Sequence, residues 1–267
     1  MKYPKRIKRR RLHKERRAFA AFLAPSFIGV MIFVLLPFVD VIQRSFVTVM
    51  SGKFVGLDNY KKVFTNQAFI LAVKNTLHFI GTAIPLLVLL GLAAALVLSK
   101  IKEISIIKSL YLFPMAMPTA TVVIVWRMFF FKQDFNSLVI SYLWKNTGYT
   151  IVLWLAGIAA IPNELIEAAR VDGANRWKCF IFVKLPCLKG SVYTIVVLSF
   201  LNSVKIYREA YLVAGSYPGQ DIYLIQHTFN NWYVNLDFDK LAAATVVVGS
   251  VLFVVIILLN FLWNREL

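Results

Sequence analysis

Charge is scarce in this chain, and acidic charge is scarcer still. Lys, Arg, Asp and Glu make up 16% of its 267 residues, with 13 acidic side chains against 30 basic ones. A soluble domain carries about 25% charge. That deficit, with 59% hydrophobic residues and a mean hydropathy of +0.69, excludes an ordinary soluble protein. Cysteine is nearly absent: Cys179 and Cys187 stand eight residues apart with no histidine beside them. Such a pair is neither a disulfide framework nor a zinc site, and both read as reduced thiols. The three histidines, His13, His78 and His227, are scattered. P-loop, GxGxxG and HExxH patterns are missing. The sequence therefore offers no catalytic residue, no metal ligand set and no means of hydrolysing a nucleotide.

What remains is a series of apolar runs. A membrane-spanning helix needs about 20 predominantly apolar residues. Six segments qualify, roughly 19–43, 72–98, 107–131, 138–160, 191–213 and 240–263. The expected fold class is therefore all-α, a polytopic bundle of six transmembrane helices. The net charge of +17 comes from basic residues clustered between these runs. That distribution suits an anionic cytoplasmic leaflet and argues against a nucleic-acid partner. Residues 1–17 hold ten Lys or Arg and one Glu. They read as a basic cytoplasmic segment, followed by a six-span domain over 18–267. The apolar run after them lacks a small-x-small cleavage site and is too long for a signal peptide, so it reads as an uncleaved first span. Segment 161–190 has five Lys or Arg, whereas 214–239 has three Asp and no Lys or Arg. Positive residues mark the cytoplasmic side, so both termini and the 161–190 loop are expected there.

That loop is the largest cytoplasmic connection, and its sequence is unlike the rest. Pro162 is expected to end the fourth span, since its ring cannot continue a helix interior. Residues 163–171, "NELIEAARV", are strong helix formers with Glu164 and Glu167 near the positive end of the helix dipole. Gly173 reads as a C′ residue with positive φ. A second helix from Ala174 to about Lys184 places Trp177, Phe180, Ile181 and Lys184 on one face. Pro186 is expected to stop it before the fifth span. Two short helices joined by a turn could transmit force between a soluble partner and the spans. Physically, an interfacial hairpin that merely links two spans is an equal alternative.

The spacing favours the first reading. Glu167-Ala168-Ala169, then Gly173, Val183 and Leu185-Pro186 are similar to the cytoplasmic signature of ABC-importer permeases, which usually has Ile where this chain has Val183. The longer string "EAARVDGA" (167–174) resembles the carbohydrate subfamily related to maltose and glycerol-phosphate permeases. "GLDNY" (56–60), "NTL" (75–77, opening the second span) and "YPG" (217–219) agree with it. The glycine-rich turn usual near 215–219 is only partly kept, and the external connection at 132–137 is shorter than the family's.

The resemblance implies a type I ABC-importer permease fold with a cytoplasmic helical coupling loop. It implies a subunit forming half of a translocation pathway, multi-pass in a bacterial or archaeal cell membrane. The implied partners are a second permease subunit in a heterodimer, two cytoplasmic ATPase subunits that bind ATP and Mg, and an extracytoplasmic solute-binding protein. The chain itself would be no enzyme and hold no cofactor. Glu167, Ala168, Ala169, Arg170, Asp172, Gly173 and Pro186 would carry the coupling to the ATPase. Aligned on Pro162 and Pro186, the family's sugar-contacting positions fall on Tyr149, Ser199, Asn202 and Ser203, whose hydroxyls, amide and aromatic face suit a carbohydrate. Lys205 and Arg208 lie in the outer half of the fifth span, where ionisable groups face a cavity or each other, and Lys205 and Glu209 stand four apart as a possible pair. Two other readings stay open at this point: a permease for another small solute, since the loop signature is shared more widely, and a membrane scaffold without transport.

Overall fold

A computed structural model of the chain describes residues 19–101, 105–130, 134–204, 206, 210–211 and 215–264. Their regular structure is helical apart from one isolated bridge, Val47 to Phe54. The helices are α1 (Phe19–Ser45), α2 (Asp58–Phe64), α3 (Gln67–Leu98), α4 (Ser105–Ala116), α5 (Thr119–Phe129), α6 (Phe135–Ala159), α7 (Asn163–Val171), α8 (Arg176–Cys187), α9 (Lys189–Ser203), α10 (Ile225–Val234) and α11 (Phe238–Asn264). Three of them, α1, α3 and α11, are long and apolar enough to cross a membrane alone. Three bent pairs, α4 with α5 at 107°, α6 with α7 at 64°, and α8 with α9 at 61°, raise the number to as many as six where each pair is counted as one span.

The chain divides into two compact units. In the first, whose described residues are 19–63 and 236–250, the "GLDNY" stretch explains itself. Gly56 adopts φ +57°, a backbone conformation that glycine takes at least cost. Asp58 then opens α2, which carries Asn59 inward. The Asn59 amide donates to the carbonyls of Ser45 and Val47 at 3.1 and 3.0 Å. Tyr60 shares a 2.7 Å hydrogen bond with the Ser45 hydroxyl. The motif thus satisfies carbonyls left over where α1 ends. Asp239 at the start of α11 accepts from the Val49 backbone at 2.7 Å.

The second unit, formed by the described residues within 64–235 and 251–264, is built on α3, α6 and α9. One core cluster gathers Phe79, Leu87, Tyr142, Ile206 and Ile222, and another gathers Ala95, Leu98, Trp154, Leu188 and Ile195. Small residues permit the close crossings, as expected where lipid leaves no hydrophobic drive between helices. A Cβ on Gly91 would lie 3.0 Å from Thr150 Cβ and 3.2 Å from Trp154 Cδ1. The Trp154 indole N–H donates to the Val88 carbonyl at 3.2 Å. In "GLAAAL", Gly91 and Ala95 are buried while Ala93 is exposed, so the small residues serve one face of α3.

At the other end of this unit, the connection between the fifth and sixth spans docks onto α3 and α6. The Asn75 amide donates to the carbonyls of Gln220 and Tyr223 at 2.5 and 3.0 Å. The Thr76 hydroxyl accepts from Ile225 N–H at 3.1 Å, and Asp221 accepts from Phe135 N–H at 3.1 Å. The "NTL" residues therefore do not open the second span, which begins at Gln67 behind an Asn66 cap. They stand two turns inside it as a dock for the 220–225 segment.

His227 is the buried titratable side chain behind this dock. It is fully buried, and its Nδ1 accepts from Leu224 N–H at 3.1 Å. Burial pushes its pKa down to about 4. In the unfolded chain it titrates near 6.5. The folded pKa is the lower, so stability is complete above about 6.5 and falls as pH drops toward about 4. The loss is about 3 kcal/mol. The apparent melting temperature in detergent is expected to fall over that window, and His227→Asn, which keeps an acceptor but does not titrate, is expected to flatten the dependence.

Some of the prolines act differently from the sequence expectation. Pro186 does not stop the second loop helix: α8 runs through it to Cys187, and the break falls at Leu188. A π-helical turn over Phe180–Lys184 precedes it, with Leu185 N–H bonded to the Phe180 carbonyl. The same device precedes Pro37: a π-turn over Met31–Leu35, with Leu36 N–H bonded to Met31. A proline ring clashes with the carbonyl four residues back and offers it no N–H. Widening the preceding turn relieves that clash without ending the helix. Pro85 is carried inside α3. Pro118, by contrast, does interrupt the expected third span, capping α5 after the 107° bend. The helix of the fifth span closes at Ser203, short of the expected 213.

Candidate functional site: the 161–190 loop

The loop leaves the fourth span at Ala160 and turns at Ile161-Pro162 into α7. Its exit is a complete Schellman cap. Ala174 N–H donates to the Ala169 carbonyl at 2.9 Å, and Gly173 N–H to the Arg170 carbonyl at 3.0 Å. Gly173 sits at φ +82°, as its C′ position requires. Asn175 then caps α8, its side chain accepting from Lys178 N–H at 2.8 Å. The stretch "DGAN" (172–175) is thus a rigid corner, held by one left-handed residue and two caps.

Both feet of the loop are pinned. Ile161 and Leu188 are buried with Trp154, Leu98 and Ile195, and Ile158 and Ile166 pack against them. Gly157 on α6 faces Ser191 on α9 so closely that a Cβ there would meet Ser191 Oγ and approach Leu188 Cδ2 to 3.0 Å. Displacement of the loop must therefore carry the adjoining ends of α3, α6 and α9 with it.

Between these feet the loop is open to solvent. No residue of α7 is buried; Glu167, Ala168, Arg170, Asp172, Gly173 and Pro186 are exposed, and Ala169 is half-buried. Large apolar side chains stand out from the same loop: Leu165, Val171, Trp177 and Phe182. Exposed apolar clusters rimmed by charge mark interaction surfaces. Cys179 is buried and Cys187 exposed. Among the described residues, no three His, Cys, Asp or Glu side chains converge as a metal site would need.

Of the residues expected along the substrate path, three come together. The Tyr149 hydroxyl shares a 2.7 Å hydrogen bond with Ser199 Oγ, and the Asn202 side chain is near enough to act on the same hydroxyl. Ser199 is fully buried, and its carbonyl accepts from the Tyr142 hydroxyl at 2.9 Å. Ser203 is turned back onto its own helix, donating to the Phe200 carbonyl at 2.7 Å. Lys205, Arg208 and Glu209 lie outside the described residues. Three contributors escaped the sequence reading: Tyr142, which fixes Ser199, and Gly148 and Gly157, which set helix crossings. A glycine inside a helical pattern is the signal that would have found the latter two.

This fold and this loop have known counterparts. The chain is similar to the Trehalose/maltose transport system permease protein MalF of Thermococcus litoralis, 26% identical over 78% of this chain and 80% of that protein. It is similar to the Arabinooligosaccharides transport system permease protein AraP of Bacillus subtilis, 27% identical over 90% of this chain and 85% of that protein. Its fold matches the crystal structure of a bacterial ABC transporter involved in the import of the acidic polysaccharide alginate, with a TM-score of 0.79 at 20% identity over 96% of this chain and 99% of that one. The family model described as the binding-protein-dependent transport system inner membrane component matches residues 87–265, which include the whole loop. The chain belongs to the family of binding-protein-dependent transport system inner membrane components.

Proposed function

We propose that this chain is one permease subunit of an ATP-driven carbohydrate importer, paired with a second permease and served by two ATPase subunits and a solute-binding protein. The observation that carries it is the loop. α7 is rigidly capped, largely exposed apart from Ile166 and Ala169, and rooted in three spans at its feet, which suits a lever worked from outside the chain. ATP and Mg would sit in the partner, since no nucleotide-binding motif occurs here. Carbohydrate is supported by the relatives, whose names include trehalose/maltose and arabinooligosaccharide systems. Purification of the chain from its native membrane should recover an ATPase and a second permease. Recovery of neither would overturn the proposal.

The path would use Tyr149 and Asn202, with Ser199 holding the tyrosine hydroxyl. Tyr149→Ala and Asn202→Ala are expected to raise the KM for uptake about tenfold or more, the equivalent of one or two neutral hydrogen bonds, with ATPase activity kept. Unchanged uptake kinetics in both would remove them from the path.

A further inference from the structure

The two limbs of the loop differ in kind. α7 and Asp172 carry three acids and one Arg, whereas residues 174–190 carry Arg176, Lys178, Lys184 and Lys189 and no acid. The boundary falls at Gly173. Aromatic exposure divides in the same place, although Leu165 and Val171 of the first limb are exposed as well. Both large exposed aromatics belong to the second limb, Trp177 at 68% and Phe182 at 73% exposed. Lys178, Phe182 and Leu185 are exposed on α8, and Lys189 is exposed one residue past its break at Leu188. Two cations thus flank an apolar pair, the arrangement in which lysine stems lie along an apolar surface and their ammonium groups reach outward.

The geometry places this limb where a bilayer surface would be. α8 is inclined at 61° to α9, which continues as the fifth span. With that span upright, α8 lies within roughly 30° of the membrane plane. Its length of about 18 Å then rises only about 9 Å, comparable with the depth over which interfacial helices insert. Aromatic rings favour that depth, and each Lys or Arg near an anionic surface adds about 1 kcal/mol, or roughly fivefold, to association. The acidic first limb makes a similar angle with its own span, 64°, but its charge is repelled by the same surface.

We propose that α8 is an interfacial anchor that holds anionic lipid headgroups through Arg176 and Lys178 and seats Trp177 and Phe182 among them, leaving α7 alone for a protein partner. The proposal rests on the chain spanning a bilayer and not on which solute it carries. The anchor would fix one limb of the corner at Gly173, so that motion of α7 is delivered to the spans rather than lost in the loop.

The test uses the full chain with its co-purifying subunits in vesicles, with bromine carried high on the acyl chains of either phosphatidylglycerol or phosphatidylcholine. The difference between wild type and Trp177→Phe isolates emission from Trp177. That component is expected to be quenched at least about twofold more by brominated phosphatidylglycerol than by brominated phosphatidylcholine. The pair Arg176→Glu and Lys178→Glu is expected to abolish the preference. If that pair impairs insertion, Arg176→Gln with Lys178→Gln reads the same loss. Equal quenching by both lipids, unchanged in the charge variants, would overturn the proposal. So would a Trp177 that no brominated lipid quenches and aqueous acrylamide does. Shielding from acrylamide only when the ATPase is bound would instead assign α8 to the protein partner and equally overturn it.

Discussion

Gly173→Val is expected to cut substrate uptake by about tenfold or more while the subunit still assembles in the membrane and the associated ATPase still turns over. The effect is confined to the backbone. A side chain at Gly173 would meet nothing within 4 Å, yet the residue holds φ at +82°. A β-branched residue in that region costs of order 1–3 kcal/mol, and each 1.4 kcal/mol is a factor of ten in the population of the capped corner. Relief of that strain releases the bonds from Gly173 and Ala174 N–H to the Arg170 and Ala169 carbonyls, so α7 frays just where it meets α8. Gly173→Asn is the informative control, because Asn visits the left-handed region with little penalty. It should retain most uptake. Equal loss in Asn and Val variants would show that a partner needs the bare glycine itself, and normal uptake in the Val variant would remove the corner from the coupling path.

Much of this corner is legible in the amino-acid sequence. Glycine after "NELIEAARVD" is a helix stop with a stated chemistry, and Asp172-Gly173 is found where that chemistry puts it. The same holds for Pro162, which separates α6 from α7 as its missing N–H demands. Pro186 shows where such reasoning fails. A proline is read as a helix end, but whether the helix yields depends on whether the turn before it can widen. That depends on packing around Phe180–Lys184, which no local pattern encodes. Pro37 is accommodated in the same way, and Pro118 is not. Asn75 and Thr76 were visible as a motif without a purpose, because their partners lie some 145 residues further on. Tyr149, Ser199 and Asn202 could be grouped only through the family's alignment. Their hydrogen bonds depend on the crossing of α6 and α9, and that crossing, like the neighbouring one of α4 and α6, is set by glycines whose neighbours the sequence does not name.

Gly148 is the plainest of these, and Gly148→Ala is expected to lower the apparent melting temperature by several degrees or to prevent accumulation of the subunit. A Cβ on Gly148 would collide with the carbonyl oxygen of Tyr111 and lie 2.6 Å from its carbonyl carbon. Both are backbone atoms of α4, so no rotamer change resolves the clash, and the two helices must part by an ångström or more. Overpacking of this kind costs typically 1–3 kcal/mol when side chains can give way, and more here because they cannot. The separation acts beside Tyr149, whose bond to Ser199 spans α6 and α9. Gly81 and Gly190 provide the contrast. A Cβ at either meets nothing within 4 Å, and alanine is the better helix former by about 1 kcal/mol, so Gly81→Ala and Gly190→Ala should be neutral or stabilising. Thermal stability of the three variants in one detergent separates a crossing that needs its glycine from glycines that merely occupy a helix. A Gly148→Ala protein as stable as the Gly81→Ala one would mean that α4 and α6 do not pack at this distance in the membrane.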